Sequence, residues 1–539
     1  MRGERVERWT VRKEAARSGN GIVVSQHGAA AAAGAAVLEA GGNAVDAAVA
    51  AGFLLQTVEP WMSGLAACGY MLVAEPEGAV HAVEFTGRAP SGLDVAAYAP
   101  DPGGAKTFLG MPAAADQANV RGYPAVVVPG AVRGLGLALA RFGTLGFDAA
   151  LRPAIDRARR GLTVDWHTTL AVALAEADLR RDPAARACFL PGDAPPEPGA
   201  VLPLSVLAET LERLADAGPD DLYTGRVAER LLHDLRAGSS AIAAEDLAAY
   251  RATVRPAERA AVANRIVHVP GETSGGRRLL DTLAAFDRAF DGERRPGPSF
   301  FRTMTEALRA AFAAHRERNR APDLLPAAST THVNAVDGDG RMAALTFTLL
   351  NRFGARVLSP STGILLNNGM AWFDLTPGRL NSLAPGAPAR NNMCPVAITD
   401  GAPAGGASDA GGAPFADGPP VAVLGASGGN QIVPALAQVS AMLVHLGMDV
   451  EAALHAPRID AGPSPDILLD LALGEDVADA LAPLGPLRFA ERAVYPRPFA
   501  SPSAIVRRGD RFEGMPDTSY PAAEAVAAKP PPPGGGAEP

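Results

Sequence analysis

Residues 327–353 read AASTTHVNAVDGDGRMAALTFTLLNRF. Two runs rich in β-branched and aliphatic residues, 330–336 and 342–349, flank Gly338-Asp339-Gly340, so the stretch predicts a β-hairpin. A three-residue loop with a glycine in the left-handed region is a common hairpin connection. That loop pairs Asp337 with Arg341 and sets Thr330 opposite Thr348. A two-residue Asp339-Gly340 loop sets Thr330 opposite Leu349 instead. In either case Ser329-Thr330-Thr331 puts three hydroxyls where a strand begins, and the first register brings a fourth, that of Thr348, across from them.

Around this stretch lies a chain of 539 residues, long enough for several domains or one large layered one. With 48% hydrophobic and 20% charged residues it can bury a sizeable core, which excludes general disorder. A formal charge of −9 argues against nucleic acid, which calls for a basic stripe. Cys68, Cys188 and Cys394 are too scattered for a disulfide framework or a cysteine-rich zinc site. The N-terminal residues are charged and lack a signal peptide's apolar core. The alanine-rich stretch 29–53 is interrupted by Glu39, Gly41-Gly42, Asn43 and Asp46, and reads as two buried helices rather than a membrane span. These features lead to the expectation of a soluble, cytoplasmic protein with no membrane or nucleic-acid partner.

In chain order, residues 1–20 read as a polar extension, and Ile22-Val23-Val24 as a strand. A helix closes at Gly41-Gly42, and a second opens at Asn43 or Ala44 with Asp46 in its first turn. Strands follow at 70–73 and 80–85. Residues 126–142 predict a strand, a Pro129-Gly130 turn and a helix, and helical patterns dominate to about Tyr250. A strand at 266–269 leads into Gly271 to Gly276 and more helix. After the hairpin, GILLNNGMAWFD predicts another strand and turn, residues 401–419 a Gly/Ala/Pro loop, and 421–447 a strand, a glycine-rich turn and a long helix. The tail 527–539 is Pro/Gly low complexity. Mixed helices and strands with no short repeat indicate a layered α/β or α+β domain.

Several residues could carry chemistry. A threonine hydroxyl is a weak nucleophile, but at a chain N-terminus its own α-amine serves as base. That amine has a pKa of roughly 8 and is partly neutral near pH 7. Thr330 would gain one by attacking the Ser329 carbonyl and cutting that bond. The bland reading, ordinary strand propensity at Thr-Thr, stands beside it. The rival is Ser427 in Gly425-Ala426-Ser427-Gly428-Gly429, which fits a G-x-S-x-G elbow between a strand and a helix. Its triad is missing, because the acid-then-histidine order downstream is met only by pairs such as Asp449 with His455. The same glycine turn offers N–H groups that suit an oxyanion. Metal readings are poor. The histidines are dispersed, His332 alternates with Asn334 along one strand face, and 337–340 lacks the remaining ligands of a calcium loop. No cofactor and no metal is expected.

Taken together, AGGNAVDAAVAA (40–51), VEPWMSGL (58–65), VPGAVRGL (128–135), SGG (274–276), STTHVNAVDGDG (329–340), GILLNNGM (363–370), NNMCP (391–395) and GASGGNQI (425–432) resemble the γ-glutamyltransferase (glutathione hydrolase) family of N-terminal nucleophile hydrolases. The resemblance spans about residues 21–507. It implies an α+β fold of four αββα layers, made as a precursor that cleaves itself into interleaved chains. These would be a large-subunit region at 21–329 and a small-subunit region from 330 to 526, followed by the tail. By position it implies Thr330 as nucleophile, Thr348 as its supporting threonine, and Gly428 and Gly429 as the oxyanion hole. Ser427 then becomes a turn residue. The implied reaction passes through an acyl-Thr330, released by water or an acceptor amine.

The departures from the family pattern fall on substrate recognition. The family's carboxylate-binding arginine position is Thr86, with Arg88 two residues on. Its asparagine after T-L falls at Leu350, its glutamine and aspartate after L-L-N-N at Gly369 and Trp372, and its paired serines at Asn391 and Asn392. Arg88, Trp372, Asn391 and Asn392 are therefore the candidate substrate-binding residues. The substrate expected is a small-molecule amide with an acyl group less zwitterionic than that of glutathione. Two alternatives stay open: a cephalosporin-acylase-like or small-amide hydrolase of the same fold, and an unprocessed homologue that binds without turnover. The segment 320–329 is shorter than usual for the family.

Overall fold

The hairpin forms in the first of the two registers. Thr331–Asp337 pairs antiparallel with Met342–Thr348, with Thr331 opposite Phe347 and Val336 opposite Met342, which places Thr330 across from Thr348. Gly340 takes φ +88°, the left-handed conformation that a side chain would resist. This is a computed structural model, and it describes residues 11–319, 329–403, 415–462 and 464–530. Parts of four expectations therefore lie outside the described residues: 1–10 of the extension, 320–328 of the segment before Thr330, 404–414 of the Gly/Ala/Pro loop and 531–539 of the tail.

The hairpin sits at the centre of a seven-stranded sheet. From edge to edge its order is Glu524–Ala527, Gly21–Ser25, Thr331–Asp337, Met342–Thr348, Cys68–Ala74, Val80–Phe85 and Thr253–Pro256, each pair antiparallel. A second antiparallel sheet runs Ala16–Ser18, Arg511–Met515, Ser501–Arg508, Phe415–Ser427, Val396–Pro403, Arg265–Val269 and Glu258–Val262. Strand alternation sorts each sheet's side chains between two cores. Ile22, Val24, Val336, Met342 and Ala344 meet Ala397, Val423 and Ile505 between the sheets, while Val23, Ala335, Leu345 and Phe347 face helices on the outer side. On the far side of the second sheet, Val267 and Leu424 pack with Leu279, Phe286 and Leu436 of a second helical layer. The result is four layers, αββα.

The alanine-rich stretch forms two helices, Gly28–Glu39 and Ala44–Val58. Asn43 caps the second by accepting from Val45 and Asp46 N–H, and Asp46 returns the contact by accepting from Asn43 N–H at 2.8 Å. Buried Asp46 also holds Thr144 and Leu145, so it fastens the next helix–helix turn besides suiting the dipole. Small residues let this helix lie flat on the hairpin. A Cβ at Gly52 would come within 2.9 Å of Leu345 Cδ2.

Four local expectations differ. Val128 makes a single bridge to Arg88 rather than a strand, because no neighbouring strand is there to extend it. GILLNNGMAWFD gives a bridge at Leu365 and a 3-10 turn, Gly369–Trp372. The described ends of the 401–419 segment are strand, continuing Val396–Pro403 and Phe415–Ser427 with Gly401 opposite Asp417. Ala16–Ser18 is an edge strand of the second sheet rather than part of a free extension.

Candidate active site

Both threonines are placed by alternation. Thr330 shares its parity with His332, Asn334 and Val336, and Thr348 with Met342, Ala344 and Thr346, so both lie on the face turned toward the second sheet. At that end of the sandwich, Phe415–Ser427 of the other sheet finishes in Gly428-Gly429. Gly428 takes φ +144° and Gly429 φ +57°, and a Cβ on Gly428 would run into Ala500. Among the described residues no backbone carbonyl outside regular elements takes up either N–H. Thr330, Thr348 and Gly429 line one cavity of about 110 Å³.

The Ser329 carbonyl oxygen is the focus. Thr330 Oγ1 donates to it at 2.6 Å and Thr348 Oγ1 at 2.7 Å. Thr348 Oγ1 in turn accepts the Leu350 N–H at 2.8 Å, which orients its proton toward Ser329. Behind them, the Met62 carbonyl accepts the Leu349 N–H at 3.0 Å, and the Ser329 hydroxyl meets Met62 Sδ at 3.1 Å. Both threonines are buried, Thr330 at 3% and Thr348 at 1% exposure, so the carbonyl is polarised with little competition from bulk water.

Ser427 has no such partners. Its hydroxyl accepts from Gln26 Nε2, and His332 on the facing strand has both ring nitrogens engaged, by Thr346 Oγ1 at 2.7 Å and Asn334 Oδ1 at 2.8 Å. Burial holds the His332 pKa down at about 4, so it is a neutral, structural imidazole.

The cavity wall carries the remaining candidates. Trp372, Asn391 and Asn392 line it, as do Leu109, Met111 and Leu350. Asn391 donates to Tyr70 Oη at 3.1 Å and accepts the Met393 N–H at 3.0 Å. Asn392 accepts from Arg278 and donates to Asn430, so its amide is a brace between two helix starts. Arg88 is not brought into the site. Its backbone bridges Val128 and Pro388, which turns the side chain to solvent, where it donates to the Gly386 carbonyl at 3.3 Å. Thr86 donates to the Ala389 carbonyl at 2.6 Å.

Charges that sequence reasoning missed complete the wall: Arg278, Arg379 and Arg390 against Glu272 and Asp374. Asp374 is buried and already neutralised by Arg379 at 2.5 Å, with the Thr376 N–H on its other oxygen at 2.8 Å. Arg390 donates to the Glu272 carbonyl at 2.9 Å and pairs with the 81% exposed Glu272 carboxylate at 3.7 Å. Burial lowers the Arg278 pKa to about 10, which leaves it cationic at neutral pH, and its Nε has no hydrogen-bond partner among the described residues. The wall thus favours an anionic group. Signals for these residues were faint: Arg278 follows the SGG turn, Arg390 precedes Asn391, and Asp374 lies two residues beyond Trp372. Leu350 was visible as a family departure, but not its φ of +83°, a rare conformation for a branched apolar residue.

Among the described residues, no helix is long and apolar enough to cross a membrane, and no group of three His, Cys, Asp or Glu side chains is placed to hold a metal.

Comparison with known proteins bears on this arrangement. The chain matches the gamma-glutamyltranspeptidase family profile over residues 30–325 and 315–527. It is 32% identical over 525 residues to the acylase ACY 1 proenzyme of Pseudomonas sp. (strain V22), covering 89% of each chain. It is 28% identical over 529 residues to the glutathione hydrolase proenzyme of Escherichia coli (strain K12), covering 86% of each. The crystal structure of cephalosporin acylase from Bacillus halodurans superposes with a TM-score of 0.81 at 22% identity, covering 98% of this chain and 100% of that one, a likeness of fold.

Proposed function

This chain belongs to the gamma-glutamyltranspeptidase family, and from that membership we propose that it is a self-cleaving amide hydrolase or acyltransferase whose nucleophile is Thr330. The observation that carries the reading is the convergence of the Thr330 and Thr348 hydroxyls on the Ser329 carbonyl, at 2.6 and 2.7 Å. In the first stage Thr330 Oγ1 attacks that carbonyl carbon while Thr348 stabilises the charge developing on oxygen. The C–N bond breaks, the proton passes to nitrogen, and residues 1–329 are left as an ester on Thr330. The α-amine is free from that point, and water then hydrolyses the ester, releasing the Thr330 hydroxyl and a carboxylate at Ser329.

In the second stage that amine takes the Thr330 hydroxyl proton as Oγ1 attacks a substrate amide. The Gly428 and Gly429 N–H groups receive the oxyanion, and the leaving amine departs with the proton. Water, activated by the same α-amine, or an acceptor amine then takes the acyl group.

The expected substrate is an amide whose acyl chain ends in a carboxylate and carries no α-ammonium. Arg278 and Arg390 would receive the carboxylate. Asp374 is held by Arg379 and is not available to pair an ammonium, while Trp372, Leu109 and Met111 form an apolar wall. Losing one charged contact of this kind typically costs several kcal/mol.

Denaturing gels with N-terminal sequencing test the first stage: the chain splits, and the smaller fragment begins Thr330-Thr331-His332. Thr330→Ala stays whole and inactive. A wild-type chain that remains intact on long incubation refutes the reading. For the acyl group, processed protein is compared on glutaryl and γ-glutamyl p-nitroanilides, which differ by one α-amino group. The glutaryl compound is turned over at least about tenfold faster in kcat/KM. Equal rates, or preference for the γ-glutamyl compound, overturn the assignment of the wall.

A further inference from the structure

On the helical side of the first sheet lies a second cavity, of about 300 Å³, which shares no lining residue with the one at Thr330. Its walls come from the turn that follows Ala44–Val58, the short helix Pro183–Phe189, the start of Ser205–Ala217, and the segment around Leu358 and Leu365. No charged side chain lines it.

Most of its polar groups are already paired. Gln56 donates to the Phe53 carbonyl at 3.0 Å and accepts the Leu65 N–H at 3.3 Å, and Ser359 donates to Asp234. Ser63 is the exception. It is 1% exposed, lines the cavity, and its hydroxyl has no hydrogen-bond partner among the described residues. A buried hydroxyl is normally paired, so an unpartnered one in the wall of an apolar hollow marks where a guest's polar atom would sit. Apolar cavities of about half this size stay dry and take up apolar molecules.

We propose that this cavity is a second small-molecule site, for an uncharged, largely apolar compound with one hydrogen-bond acceptor, which Ser63 would hold. The absence of any lining charge selects against ionic guests, whose desolvation nothing here would offset. Of the lining residues, Ala187, Pro203, Ser205, Val206 and Pro360 are exposed, so the cavity opens to the surface and a guest can enter without unfolding a helix.

The test is a fluorescence titration of the whole protein with Prodan, a neutral naphthalene ketone, with acetophenone as a smaller competitor. Expected are saturable binding of one Prodan per chain, displacement by acetophenone, and roughly five- to tenfold weaker binding in Ser63→Ala. Ala187→Trp plugs the mouth and abolishes binding. Should that variant not fold by its thermal transition, Val206→Trp at the rim takes its place. Failure of both probes to bind overturns the proposal, as does binding that survives a folded plug variant.

Discussion

Thr348 uses one hydroxyl in two directions, accepting from the Leu350 N–H and donating to the Ser329 carbonyl. A donor aimed at a developing oxyanion contributes about 10²–10³ in rate. Thr348→Val keeps the shape and removes the donor, so its self-cleavage is expected to be about 100-fold slower in a gel time course, whereas Thr348→Ser stays close to wild type. A valine variant that matures at the normal rate would remove Thr348 from the chemistry. Leu350, next along, holds φ +83°, a conformation that costs of order 1–3 kcal/mol for such a residue. Replacing a buried leucine usually costs about 2–5 kcal/mol. In Leu350→Gly, relief of the strain offsets much of that loss. Urea denaturation is expected to show a loss about 1–3 kcal/mol smaller than that of Leu345→Ala on the hairpin, which bears the full cost. Equal losses at both positions would mean that the strain is absent.

At the scale of elements, the two sheets are joined by a polar seam: His332 against Thr346 and Asn334, and Asn334 across to Ser503 at 3.1 Å. The imidazole fits because the facing strand carries Gly425, where a Cβ would collide with the ring. Gly425→Ala is therefore expected to destabilise by about 1–3 kcal/mol and to slow cleavage, since it pushes apart the strands that carry Thr330 and Gly428. A variant with unchanged denaturation midpoint would contradict this. The hairpin itself was legible because its determinants are local: a glycine at a left-handed turn position and alternation along two runs. The capped helix at Asn43 was legible for the same reason. What escaped depends on distant neighbours. Residues 126–128 have strand character, yet only Val128 finds a bridging partner, at Arg88. Gly401 and Asp417 have turn character, yet cross-strand pairing extends the sheet through them. The wall arginines could not be picked from an arginine-rich chain without knowing which ones the loops turn inward.

For the whole molecule, buried histidines tie stability to pH, four of them strongly and His27 in the same direction. Burial is the main cause in each case, lowering the pKa of His167, His268 and His332 to about 4 and that of His315 to about 3. They occupy different places: His167 against Trp61 and Tyr520 among the helices, His268 beside Thr399 in the second sheet, His332 between the sheets, and His315 at the cavity that Thr330 lines. Above the ordinary histidine pKa of about 6.5, neither folded nor unfolded chain holds these protons, and they add no pH dependence. Below it the unfolded chain protonates first, so stability falls as pH drops, by up to about 1.4 kcal/mol per pH unit for each group. Buried Glu59 acts in the opposite sense. Its pKa is raised, chiefly by burial, so the folded form keeps a proton that the unfolded chain releases, and its contribution fades as pH rises. Burial raises the pKa of Asp182, Glu258, Asp337 and Asp460 in the same sense as Glu59. The four histidines are each carried from about 6.5 down to about 4 or 3, and a net loss is expected between pH 6.5 and 4. The measurement is urea unfolding followed by tryptophan fluorescence at pH 7 and pH 5, on the Thr330→Ala chain so that one polypeptide unfolds. Stability should be lower by several kcal/mol at pH 5. His332→Asn, although weaker overall, should show a slope shallower by about one proton. A stability that is flat or rises from pH 7 to pH 5 would show that the imidazoles are hydrated and protonated in the folded protein, and the sandwich then does not seal them from water.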